Sequence, residues 1–195
     1  MTTESLKCIG CIEPLVPLLE ALEHHAIEFA AETWRQDTPG SPHFATKALF
    51  LRMPPGRATR ESIFESLDVI DRPLMGEPAF RDAVAQISAL AGLPPARVLF
   101  AALRPNGVIP QHIDEGAYAA ATHRYHLCAS TNPWAAMSVG STMAQPRPGE
   151  VWFFNKHRPH SVCNFGPTWR VHLIVDCWRA GRSAGTEREH PITHS

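Results

Sequence analysis

Between Arg97 and Trp178 the chain consists of short apolar or alternating runs: Arg97 to Leu103, Arg124 to Ala129, Glu150 to Phe154 and Trp169 to Trp178, separated by Pro, Gly, Asn and Ser. Several short strands with turn punctuation predict a β-sandwich or barrel. Pro148-Gly149 reads as the turn that feeds the strand starting at Glu150. The first half follows a different period. From Glu13 to Trp34 the apolar positions Leu15, Leu18, Leu19, Leu22, Ala26, Phe29 and Ala30 recur at helical spacing, which predicts one amphipathic helix. Gly40-Ser41-Pro42-His43 breaks that pattern, and Ala45 to Met53 reads as a strand ended by Pro54-Pro55-Gly56. A short helix is expected around Glu61 to Val69. Pro78 then opens a second amphipathic helix through Phe80, Ala83, Val84, Ile87, Leu90 and Ala91, stopped by Gly92 and Pro94-Pro95.

The 195 residues fit one domain with a sizeable core. Its expected parts are a helical N-terminal support over about 13–93, a β core over about 96–178, and a loose polar tail over 179–195 with solvated His190 and His194. A net charge of −1 and a pI near 6.8 offer no basic footprint for nucleic acid or membrane surfaces, so the expected partner is a small molecule. No apolar run approaches the roughly 18 residues of a spanning helix, and no secretory leader pattern opens the chain; a cytoplasmic protein is expected. Five cysteines at irregular spacing argue against an extracellular disulfide framework. Cys8-Ile9-Gly10-Cys11 is formally a Cys-x-x-Cys pair, but without a second pair it does not complete a zinc site.

The chemistry concentrates in Gln111-His112-Ile113-Asp114 and in His160. On a strand His112 and Asp114 would share a face. With His160 they make a two-His-one-carboxylate set, the facial triad that leaves open positions on Fe(II) for a cosubstrate and for O2. His157 is the rival third ligand, but it sits between Lys156 and Arg158 in an expected turn, whereas His160 opens an apolar alternation. Arg170 belongs to the same reasoning. Fe(II) and one aspartate sum to +1, and a chelating 2-oxoglutarate dianion would turn this to −1 with its far carboxylate some ångströms from the metal. A guanidinium, planar and permanently charged, suits that carboxylate better than an ammonium would. Arg170 opens an apolar strand and has no obvious partner in sequence. His172 shares its face, and His123 is expected to face solvent.

Arg124-Tyr125-His126-Leu127, Pro148-Gly149-Glu150-Val151-Trp152-Phe153, His160-Ser161-Val162-Cys163-Asn164 and Arg170-Val171-His172-Leu173-Ile174-Val175-Asp176 together resemble the aspartyl/asparaginyl β-hydroxylase family, in pattern nearest its bacterial proline hydroxylases. The resemblance covers roughly Val98 to Trp178 and rests on several elements in the same order. It implies a double-stranded β-helix, the cupin-like jelly-roll, with N-terminal helices, and an oxygenase dependent on Fe(II), 2-oxoglutarate and O2. It carries His112, Asp114 and His160 over as iron ligands and Arg170 as the cosubstrate's carboxylate partner. His126 is carried over as a second cosubstrate contact and Arg124 as the partner of a substrate carboxylate; of the tryptophans, Trp152 has the best claim to the substrate. The expected reaction is hydroxylation of an unactivated C–H of an amino acid or amino-acid-derived molecule, with release of succinate and CO2. Asp114 argues against halogenation, which needs that coordination position free. The alternatives are a cupin-like metal enzyme that does not use 2-oxoglutarate, a peptide side-chain hydroxylase, and a non-catalytic sensor module.

Overall fold

The structure, a computed structural model, describes residues 4–31 and 33–182, so His190, His194 and most of the expected polar tail lie outside the described residues. The first element among the described residues is a strand that the periodicity does not announce, β1 (Leu6–Cys11). The helix expected over Glu13 to Trp34 is three pieces: α1 (Val16–His24), α2 (Glu28–Ala31) and α3 (Trp34–Asp37). His25 caps the first piece, and its ring nitrogens lie 3.1 Å from Glu28 and 3.7 Å from Glu77, a tertiary tie that competes with continuation of the helix. β2 (Thr46–Met53) matches the expected strand. The short helix α4 (Arg60–Phe64) starts at Thr59, whose hydroxyl accepts from Ser62 N–H in a capping box, and ends earlier than expected. After the two-residue β3 (Ile70–Asp71) comes α5 (Pro78–Ala91), with Pro78 in its first turn. Gly92 closes it at φ +65°, a left-handed geometry in which the Gly92 and Leu93 N–H groups turn back to Ala89 and Ser88 carbonyls.

The rest is the β core. β4 (Pro95–Leu103), β5 (Gly107–His112), a one-turn helix α6 (Ala117–Ala121) and β6 (Thr122–Ser130) precede β7 (Ala135–Val139) and β8 (Thr142–Ala144). β9 (Glu150–Phe154), β10 (His160–Asn164) and β11 (Arg170–Trp178) complete it. All strand pairs are antiparallel, forming a seven-stranded sheet β1-β9-β6-β11-β4-β2-β3 that faces a four-stranded sheet β5-β10-β7-β8. This is the mainly β, cupin-like jelly-roll with N-terminal helices. No helix among the described residues is long and apolar enough to cross a membrane.

Strand parity decides what each face of the large sheet does. Leu49, Leu51, Val98, Phe100, Leu127, Leu173 and Val175 point away from the small sheet and bury against Phe80, Val84 and Ile87 of α5 and Leu18 of α1. Each such side chain contributes roughly 1.5–3 kcal/mol on full burial, so the helices are the outer half of the main core. The alternate residues of the same strands face inward. On β11 these are Arg170, His172, Ile174 and Asp176, and the ladder sets Ile174 opposite His126 and Asp176 opposite Arg124 on β6. A sheet of apolar strands thus carries a polar stripe on one face only, and the stripe looks into the space between the sheets.

Candidate metal centre and its two cavities

His112 ends β5 and His160 begins β10, and the two are direct partners across the ladder. Asp114 lies just beyond β5, so it does not share the strand face expected for it; the donation of its backbone N–H to Lys156 O, at 3.0 Å, holds it there instead. The three side chains nevertheless converge. His112 Nε2 lies 3.1 Å from His160 Nε2, and Asp114 Oδ1 lies 3.5 Å from the first and 3.7 Å from the second. Among the described residues it is the grouping of His, Cys, Asp and Glu that could hold a metal ion.

The hydrogen bonds behind the rings fix which nitrogens face inward. His112 Nδ1 is 2.8 Å from Pro110 O, and His160 Nδ1 is 2.9 Å from Arg158 O. A carbonyl only accepts, so both Nδ1 atoms carry a proton, and Nε2 is the nitrogen each ring can offer to a metal. Two imidazole nitrogens 3.1 Å apart with a carboxylate oxygen beside them form a donor set that a cation at their common centre would hold together. Burial pulls the His160 pKa down to about 4, so this ring is neutral at physiological pH, as a ligand must be. Burial opposes ionisation of Asp114, but Arg124 and Lys156 outweigh it and hold the carboxyl below its ordinary range. His157, the rival ligand, turns away and contacts Arg179 at 2.9 Å.

Arg124 has partners that the sequence does not announce. Its Nη1 donates to Asp114 Oδ2 at 2.6 Å, and its Nε and Nη2 donate to the two oxygens of Asp176 at 2.8 and 3.1 Å. The guanidinium expected to meet a substrate carboxylate is already clamped between two protein carboxylates. It holds the Asp114 oxygen that faces away from the histidines, leaving Oδ1 toward them. Lys156, almost fully buried, joins the cluster 3.5 Å from Asp176 while donating to Thr122 Oγ1 at 2.6 Å, and burial lowers its pKa to about 8. Neither Lys156 nor Asp176 was expected here; the sequence signal available was the placement of Asp176 six residues beyond Arg170, on the same strand face.

Two cavities meet at this centre. The inner one runs between the sheets past His160, His126, Phe154 and Ile174 to Arg170. Arg170 is 3 % exposed and has no carboxylate partner: Nη2 contacts His172 Nδ1 at 3.1 Å and Met137 S at 3.9 Å, and Nε has no partner. Burial pulls its pKa down to about 10, which still leaves it charged at neutral pH. His126 stacks on Phe154 with ring centroids 4.7 Å apart, and both its ring nitrogens are buried without a partner. A satisfied core histidine would not leave both unpaired. His172 packs at 5.6 Å from His126, forming the floor behind Arg170. Trp152 points between the sheets but lines neither cavity: it packs at the far end against Phe154's cluster, and its indole N–H donates to Glu150 at 3.0 Å. Its expected substrate contact is therefore not supported. His123 is half-buried against Phe153 rather than solvent-facing.

The outer cavity, about 330 Å³, opens beside His112 and Asp114. Its walls come from α3 and the turn after it, from α4, and from α6. Arg97 of β4 ties α4 in place by donating to the carbonyls of Ser62, Ile63 and Ser66, while its guanidinium lies 3.4 Å over the Tyr118 ring. Gly116, at φ +95°, lets the α6 turn approach the Phe64 carbonyl; a Cβ there would lie 2.5 Å from that oxygen. Arg35 and His43 line both cavities, and neither carries a motif that would mark it in sequence.

A double-stranded β-helix with these side chains invites comparison with known proteins. A prolyl-4-hydroxylase from Pseudomonas putida superposes over 92 % of this chain and 95 % of its own, with a TM-score of 0.57 and 16 % identity. AviO1 from Streptomyces viridochromogenes Tue57 superposes over 92 % of both chains, with a TM-score of 0.55 and 11 % identity. At such identities the likeness is one of fold. The sequence profile described as aspartyl/asparaginyl beta-hydroxylase matches residues 78–180, from the start of α5 to just past β11. That span is more than half the chain and holds the His112, Asp114 and His160 cluster together with Arg124, His126 and Arg170: the protein belongs to the aspartyl/asparaginyl β-hydroxylase family, a family of oxidoreductases.

Proposed function

We propose that this protein is an Fe(II)- and 2-oxoglutarate-dependent dioxygenase that hydroxylates an unactivated C–H bond of an amino acid or an amino-acid-derived small molecule. One observation carries the reading. A buried guanidinium with no anionic partner ends a cavity whose other end is a converging set of two imidazoles and a carboxylate. Leaving a charge in that position is costly unless a ligand meets it. A dianion with one chelating end and one free carboxylate satisfies both ends at once.

The residues fit both groups. His112 Nε2, His160 Nε2 and Asp114 Oδ1 would hold the iron, a donor set suited to Fe(II) with positions left open. When bound, iron, 2-oxoglutarate and O2 supply an oxidant able to break an aliphatic C–H bond, with succinate and CO2 as the by-products. The protein's own part is positioning. Arg170 would bind the distal carboxylate as a two-pronged donor, and His126, with two unpaired nitrogens, would hydrogen-bond the same molecule. Pro110 and Arg158 carbonyls lock the imidazole tautomers, and Arg124 keeps Asp114 oriented and ionised. Phe154, Ile174 and Val162 make the inner cavity apolar and shut bulk water out, and the outer cavity would receive the prime substrate. The test is succinate release by the ferrous protein against free amino acids and short peptides, with mass detection of a product heavier by one oxygen. Release coupled to such a product is expected with a free amino acid; release only with peptides moves the substrate class, and none with any compound overturns the reading.

A further inference from the structure

The cations around the outer cavity can be matched to partners one at a time. Arg124 is held by Asp114 and Asp176, Lys156 by Thr122 and Asp176, and Arg97 by three backbone carbonyls. Arg60 is exposed, with its guanidinium 5.3 Å over Phe64. Arg35 is the exception. Its Nη1 is shut off from solvent and has no hydrogen-bond partner. A second orphan stands near it on a different segment: His43 Nδ1, equally buried and equally unpartnered, on a ring that meets His112 edge-on with centroids 5.1 Å apart. Both residues line the outer cavity and the inner one, so both sit where the two spaces join beside the metal centre. Charge points the same way. Arg35, Arg97, Arg124 and Lys156 all lie within electrostatic reach of Asp176, so these cations outnumber the two carboxylates of Asp114 and Asp176. Buried polar groups of this kind are tolerated where a ligand completes them.

We propose that Arg35, assisted by His43, anchors a carboxylate of the prime substrate, so that the enzyme selects carboxylic acids and holds them by that group at the junction of the two cavities. This deepens, and rests on, the oxygenase reading above. It moves to Arg35 the role that the sequence assigns to Arg124, whose donors already face protein carboxylates. The surplus of positive charge favours a carboxylate at this junction, and a cavity of about 330 Å³ suits a molecule of amino-acid size.

The experiment titrates the ferrous, 2-oxoglutarate-loaded protein anaerobically with the common L-amino acids and with their carboxamides, reading prime-substrate binding by calorimetry and 2-oxoglutarate binding by the metal-to-ligand charge-transfer absorption. At least one acid is expected to bind, and its carboxamide to bind about 100-fold more weakly, the effect of losing a charge-assisted pair. Arg35→Gln should weaken the acid by about 100-fold and erase the acid-over-amide preference, Arg35→Lys should restore part of it, and 2-oxoglutarate affinity should stay within about twofold. A merely structural Arg35 would not move the acid-over-amide ratio. The proposal is overturned if acid and amide bind alike to the unaltered protein, if no acid binds, if Arg35→Gln keeps the preference, or if that variant weakens 2-oxoglutarate instead. Absence of the charge-transfer absorption in the unaltered protein is a separate outcome: it sinks the oxygenase reading, while calorimetry still decides whether Arg35 binds acids.

Discussion

Replacing Arg170 by Met should make the protein more stable and, in the same step, nearly blind to 2-oxoglutarate. The guanidinium is 3 % exposed and its contacts are a neutral His172 nitrogen at 3.1 Å and a thioether at 3.9 Å. Burial pulls its pKa down to about 10, which corresponds to a penalty of roughly 3 kcal/mol on the charged form. Against that, Met loses one hydrogen bond and leaves His172 Nδ1 unpaired, about 1–2 kcal/mol. The thioether fills much of the vacated volume and packs well beside Met137. The difference is a net gain of roughly 1–2 kcal/mol for the ligand-free protein, in the range seen when buried charges become apolar. For a chain of this size that raises Tm by roughly 2–8 °C. Truncating the charged partner of a bound carboxylate costs about 2–5 kcal/mol, so 2-oxoglutarate should bind roughly 30-fold to several thousand-fold more weakly. Differential scanning calorimetry and an anaerobic 2-oxoglutarate titration give the two numbers. Destabilisation by more than about 2 kcal/mol, or unchanged 2-oxoglutarate affinity, would refute the assignment of Arg170 to a ligand rather than to the fold.

Three further outcomes follow from the site. His112→Ala, Asp114→Ala and His160→Ala should each abolish Fe(II) binding in equilibrium dialysis, while His157→Ala, whose ring contacts Arg179, should bind iron normally; the reverse result for His157 and His160 would reassign the third ligand. Arg124→Ala should destabilise by about 3–5 kcal/mol in urea titration, because Asp114 loses its hydrogen-bonded cation and buried Asp176 keeps only Lys156; a change under about 1 kcal/mol would show the clamp is not under load. The metal-free protein should weaken in acid. Burial sets the folded pKa values of His43, His126 and His172 well below 6.5 and that of His160 at about 4, so the unfolded chain binds more protons below pH 6.5. Stability is then fully present above about pH 6.5 and falls as the pH drops toward 4, each such group contributing up to ~1.4 kcal/mol per pH unit. Urea midpoints at pH 7.5 and 5.5 check this, and equal midpoints would contradict it.

What the sequence disclosed and what it withheld divide along physical lines. β4, β6, β9 and β11 are central strands of the large sheet, buried on both faces or inward-polar in strict alternation, and their patterns are strong. α5 is framed by Pro78 and Gly92, residues whose backbone limits set its two ends. β1 is an edge strand with exposed residues and an irregular register between Cys8 and Gly10, and β8 is three residues long, so neither carries a period to read. The Glu13 to Trp34 periodicity is genuine in α1, but His25's ties to Glu28 and Glu77 are tertiary and invisible to a local window. At the candidate site, the convergence of His112, Asp114 and His160 was legible because a His-x-Asp pair and a later His on an alternating strand are residue types and an order that can be read locally. Arg124's ties to Asp114 and Asp176 could not be read in advance, since the nearness of Asp114 depends on how the chain turns after β5. The hydrogen bond from the Trp152 indole to Glu150 depends on strand geometry that the sequence does not show. Arg35 and His43 acquire their meaning only from where a short helix and a turn are laid against the barrel mouth.

The central claim is that one ferrous ion and one 2-oxoglutarate meet between His112, Asp114, His160 and Arg170. Anaerobic titration of the metal-free protein with Fe(II) in the presence of 2-oxoglutarate should give a visible charge-transfer absorption that saturates at one equivalent of iron, disappears in His160→Ala, and demands far more 2-oxoglutarate in Arg170→Met. No absorption in the unaltered protein, or an absorption that survives the loss of His160, would contradict it.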